Sequence, residues 1–108
     1  MDNALLTNSN VTEQWVRNAL GFLPSNPLLH IALAGFETDS KRADFLRSFG
    51  LARLPKSSAV CRRAGEMLLA QHQPRLALAA VDKALLADPT DQPTQRLRLE
   101  VLNATPER

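Results

Sequence analysis

Residues 58–91 read SAVCRRAGEMLLAQHQPRLALAAVDKALLADPTD, and this stretch decides the fold. Two runs rich in Ala and Leu, about 59–71 and 74–87, flank a turn at His72 and Gln73. Ser57 or Ser58 precedes the first run as an N-cap, with a hydroxyl placed to accept an otherwise orphaned amide hydrogen. Pro74 opens the second run at a position whose amide has no partner inside a helix. Asp88-Pro89-Thr90-Asp91 is turn chemistry. Apolar and polar residues do not alternate along the stretch, so it predicts two helices joined by a short turn.

The same signals recur outward. Thr12 or Asn10 caps a helix to about Phe22, with Trp15, Val16, Ala19, Leu20 and Leu23 on its apolar side. Gly21, Pro24 and Pro27 end it. A second helix, about 27–36, is apolar almost all round and so predicted to be central. Asp39 caps a third, about 40–54, which Pro55 stops. Asp91 caps a last helix, about 92–103. The expected organisation is a flexible arm over 1–11, a single helical domain over 12–103 and a frayed tail over 104–108. Short connections imply antiparallel neighbours.

A period of 34 residues runs through these helices. It relates Leu33 to Met67, Ala43 to Ala77, Leu51 to Leu85, Pro55 to Pro89, Arg62 to Arg96, Glu66 to Glu100 and Leu68 to Leu102. Residues 58–91 resemble a tetratricopeptide repeat through the small Ala64-Gly65 pair and through Ala77, Val81, Ala84 and Pro89. Leu68 and Cys61 replace the large aromatics usual in the family. Residues 24–57 resemble a degenerate copy, in which Ala43 and Pro55 fit, Gly50 stands where Ala84 does and Ile31 where Gly65 does. Residues 92–103 are similar to a capping first helix. Arg98, at the position of the small Ala64, marks an outer face there. The resemblance implies an all-α fold, with antiparallel hairpins stacked as a short solenoid that carries extra helices at both ends.

The resemblance also implies a groove lined by the first helix of each hairpin, holding a peptide or helix of another protein. Carried onto this sequence, its residues are Leu28, Leu29, Ala32 and Phe36 in the first copy. In the second they are Arg62, Glu66, Leu69 and Ala70, and in the last helix Arg96, Glu100 and Asn103. Ala32, Glu66 and Glu100 occupy positions where a carboxylate-clamping groove carries asparagine, so an acidic chain terminus is not the expected occupant. Arg62 with Glu66, and Arg96 with Glu100, are four apart and placed to pair on one helical face. Leu28, Leu29 and Phe36 either meet a hydrophobic segment or are covered by the first helix. Trp15 is either an interface anchor or part of the core.

Formal charge is +2, from 13 basic and 11 acidic residues. No basic cluster interleaves with aromatics, so nucleic acid is not an expected partner. Lys41, Arg42, Arg47, Arg53 and Lys56 make the third helix mildly basic, with Asp44 placed to pair with Lys41. The single cysteine, Cys61, excludes an internal disulfide and reads as a small buried hydrophobe. His30 and His72 stand in no metal or catalytic spacing, and His72 reads as a turn residue. No secretory leader and no membrane-spanning run is found, and a cytoplasmic setting is expected. These observations point to a scaffolding or interaction module without catalysis or cofactor. The alternative is a structural homo-oligomer whose groove or first hairpin is closed by another copy.

Overall fold

The computed structural model describes residues 12–105. Among them are six helices: α1 (Glu13–Phe22), α2 (Pro27–Ala34), α3 (Ser40–Ala52), α4 (Ser58–Ala70), α5 (Pro74–Ala87) and α6 (Gln92–Ala104). The expected arm over 1–11 and the end of the tail, 106–108, lie outside the described residues. Ala104, placed in the tail by its sequence, closes α6. The chain divides into two compact units at Leu54 and Pro55.

In the first unit the predicted caps hold. The Thr12 hydroxyl accepts the Trp15 amide at 3.2 Å and the Asp39 carboxylate accepts that of Lys41 at 3.0 Å. Asn26 does the same for Leu29, ahead of Pro27 in the first turn of α2. Leu28, Leu29, Ile31, Ala32, Leu33 and Ala34 are all buried, which makes α2 the centre of this unit. α1 packs on one side of it and α3 on another. α2 stops at Ala34, two residues short of expectation, because Gly35, Phe36 and Glu37 turn back onto the carbonyls of Ala32, Leu33 and Ala34 in tighter i→i+3 bonds. α3 likewise ends at Ala52, in bonds from Arg53 to Gly50 and Leu54 to Leu51. Pro55 then disfavours helical backbone at Leu54.

α2 and α3 approach through a glycine. A Cβ on Gly50 would lie 2.6 Å from the Pro27 carbonyl oxygen and 2.7 Å from Ile31 Cγ1. The end of α3 therefore lies against the start of α2, as an antiparallel pair requires. The second unit solves the same problem with the glycine on its first helix: a Cβ on Gly65 would lie 2.7 Å from Val81 Cγ2. Where the 34-residue register sets Ile31 against Gly65, bulk and gap have changed helices.

In the second unit the Ser57 hydroxyl accepts the Val60 amide at 3.3 Å. α4 ends in a Schellman motif, with Gln73 bonded to the Leu68 carbonyl and His72 to that of Leu69. That closure requires left-handed backbone at His72, whose φ is 61°. α4 and α5 form the most extensive helix pair, and α6 packs on both. The core is Cys61, Ala64, Leu68, Ala77, Ala80, Val81, Ala84, Leu97 and Val101. The Cys61 thiol donates to the Pro55 carbonyl at 3.2 Å.

A candidate partner-binding groove

Glu66, Leu69 and Ala70 are three and four residues apart, so they share a stripe of α4 beside the core stripe of Cys61, Ala64 and Leu68. Pro93, Arg96, Leu97 and Glu100 form the corresponding stripe of α6. Because α6 packs on α4, these seven residues line one open groove of about 480 Å³. Leu97, Leu69, Ala70 and Pro93 supply its apolar surface, and Glu66, Arg96 and Glu100 its polar groups.

An ion pair ties the two walls together. Arg62 Nη1 on α4 lies 2.7 Å from Asp91 Oδ2 at the start of α6. The Thr94 hydroxyl, fully buried, donates to the same carboxylate oxygen. The Thr94 hydrogen bond and then the Arg62 guanidinium hold the Asp91 carboxyl below its ordinary value of 3.8, although partial desolvation opposes them. Asp91 stands at the N-cap position as expected, but its side chain makes no capping bond to the helix amides. Its charge still lies at the positive end of the helix dipole.

The expected i,i+4 pairs are corrected here. Arg62 is turned to Asp91, and Glu66 is bonded by Arg63 at 3.0 Å, with Arg63 only 8% exposed. Arg96 and Glu100, both exposed, are not joined in an ion pair. On α3, Asp44 pairs with Arg47 at 3.1 Å instead of Lys41. For Glu66 and Asp44, an arginine three residues away on the same helix takes the carboxylate. Arg42 pairs with Glu37 and Arg53 lies 3.6 Å over the Phe49 ring, so much of the basic character of α3 is internally compensated.

Of the candidate groove residues, Glu66, Leu69, Ala70, Arg96 and Glu100 come together, while Arg62 braces the groove from its side. Asn103 is exposed on α6 beyond the lining residues. Leu28, Leu29, Ala32 and Phe36 belong to the other unit. Leu28 and Leu29 are 7% and 1% exposed, and α1 packs on their helix, whereas Phe36 is 41% exposed. Trp15 is half-buried beside Asn18, Ala19 and the exposed Phe22. Pro93 and Leu97 are lining residues that the sequence reading passed over, although their spacing from Arg96 and Glu100 puts them on the same helical stripe.

Three chemically interesting side chains have structural positions. Cys61 is fully buried. His30 Nδ1 lies 2.8 Å from the Asn26 carbonyl, so it carries the proton of that bond, and the ring packs on Phe49 with centroids 4.4 Å apart. His72 closes the α4 turn. Among the described residues, no helix is long and apolar enough to cross a membrane. Comparison with protein-family models, characterised proteins and solved structures gives no match to this chain.

Proposed function

We propose that the chain is a non-enzymatic interaction module of tetratricopeptide type, which holds a peptide or helix of another protein in the groove between α4 and α6. The observation that carries this reading is the convergence of Glu66, Leu69, Ala70, Arg96 and Glu100 on one open surface. These are residues that the repeat resemblance singles out as partner-facing. The contact of α6 with both helices of the preceding hairpin supports the same reading, since a repeat stack places each first helix that way. An apolar surface edged by charges of both signs suits an amphipathic segment, anchored by apolar side chains and oriented by its polar ones. Two carboxylates beside one arginine disfavour an acidic terminus. Cys61 and His30 are engaged in structural bonds, which supports a role without catalysis.

Affinity capture from the source cells tests this, with wild type, Leu69→Asp and Leu86→Asp as baits. Leu86 is 85% exposed on α5, away from the groove lining. A polypeptide held by wild type and Leu86→Asp but lost from Leu69→Asp is the expected result, with helical circular dichroism unchanged in all three. Equal capture by all three baits would remove the groove from the account.

A further inference from the structure

The outer face of α6 has a charge pattern that is its own complement. Arg96 and Glu100 are both exposed and lie one helical turn apart, about 6 Å along the axis. Among the described residues neither has an ion-pair partner, whereas the neighbouring Arg98 reaches across to Asp82 on α5 at 3.1 Å. Flanking this pair on the solvent side is Leu99, 62% exposed, and Leu102 on the same side is 38% exposed. Two leucines this open on one helix cost apolar hydration that a docked surface would recover.

We infer that α6 is a self-association surface, on which a second copy of this chain docks antiparallel about a two-fold axis close to Leu99. The charge order decides the occupant. In an antiparallel pair of α6 helices, Arg96 of one copy comes beside Glu100 of the other, and the symmetry supplies the reciprocal pair. An isologous contact of this kind needs one self-complementary patch and no second surface. Leu99 meets its own symmetry mate at the centre, where water is excluded. A contact of one helix face per copy is small, so the dimer is weak and depends on concentration and salt. Arg96 and Glu100 also line the groove, so a second copy and a groove ligand compete for them. The inference itself needs no ligand in the groove.

Sedimentation equilibrium of the full chain at low salt, from micromolar to millimolar protein, tests it with charge reversal. Wild type is expected to show a monomer–dimer equilibrium. Arg96→Glu or Glu100→Arg alone sets like charges together and weakens association by about tenfold or more. The double variant restores it, because each introduced charge again meets its opposite. An equimolar mixture of the two single variants associates more tightly than either alone, and Leu99→Asp abolishes dimerisation. All three positions are exposed, and unchanged helical circular dichroism establishes that the variants are folded. A wild-type monomer throughout the range overturns the inference. So does a dimer indifferent to these substitutions, which would use another surface, and so does a mixture no tighter than its components. Overturning it leaves the groove reading standing wherever capture still depends on Leu69.

Discussion

Replacing Gly50 by alanine is the sharpest test of how α2 and α3 meet. On helix propensity alone the change stabilises α3 by about 1 kcal/mol, because glycine loses more backbone freedom on folding. The structure opposes this gain with two contacts. The new methyl would sit 2.6 Å from the Pro27 carbonyl oxygen and 2.7 Å from Ile31 Cγ1, both well inside van der Waals distance. Ile31 is fully buried and β-branched, so it has little rotamer freedom to yield. The carbonyl belongs to the first turn of α2 and moves only with the helix. Overpacking of this kind costs roughly 1–3 kcal/mol, and with a main-chain atom involved the upper part of that range applies. The net expectation is a loss of about 1–2 kcal/mol. Trp15 is the only tryptophan and lies in the same unit, so its fluorescence during urea unfolding follows the affected helices. With a slope of about 1–3 kcal/mol per molar urea, the midpoint falls by roughly 0.3–2 M. Adding Ile31→Ala does not restore it, because the Pro27 carbonyl remains. Gly21→Ala, with no heavy atom within 4 Å of the new Cβ, serves as the control and should not destabilise. A Gly50→Ala protein more stable than wild type, by the propensity gain alone, would refute the close approach.

Four further outcomes follow from particular contacts. Gly65→Ala puts a methyl 2.7 Å from Val81 Cγ2, while the Ala77 carbonyl oxygen and Leu97 Cδ2 stay at an ordinary 3.5 Å, so Val81→Ala in the same chain should recover part of the loss, read as a non-additive double-mutant cycle in thermal melts. Leu68, fully buried in α4, should cost about 2–5 kcal/mol when cut to alanine, measured by helical circular dichroism in urea. His72→Gly relieves a left-handed backbone at the end of α4 and should raise stability by about 0.5–1 kcal/mol; a loss would mean that the His72 side chain has a role beyond the turn. Asp91 titrates below 3.8 in the folded protein, so its ionised form favours folding. That contribution is complete above about pH 4 and disappears as pH falls through the lowered folded value. The stability advantage of wild type over Asp91→Asn should therefore be flat near neutrality and shrink below pH 4, and an advantage that persists unchanged in acid would contradict the pairing.

What was legible in the sequence was mostly local. Thr12, Asp39 and Ser57 cap the helices they precede, since capping depends on residues two or three positions away. Pro74 begins α5 and Asp88-Pro89 separates α5 from α6, as turn chemistry requires. The central place of α2 followed from its lack of a polar face. Distant contacts were not legible. Arg62 and Asp91 are 29 residues apart, and only the packing of α6 on α4 brings them together. The local rule paired Arg62 with Glu66, but Arg63 takes that carboxylate from its own buried position. The division at Leu54 and Pro55 was hidden for a similar reason. Pro55 and Pro89 close equivalent helices in the 34-residue register, and nothing local distinguishes a proline inside a unit from one at its edge. Within the groove, the α4 and α6 stripes could be drawn from helical spacing, whereas Leu28 and Leu29 fell out of it because burial depends on what packs against them.

The central claim is that a partner lies against Leu69, and a photoreactive amino acid placed at that position in the full chain tests it most directly. With the same group at Leu86 as the comparison, irradiation in the source cells is predicted to join a discrete polypeptide to position 69 and not to position 86. Adducts at both positions alike, or at Leu86 alone, would contradict the account.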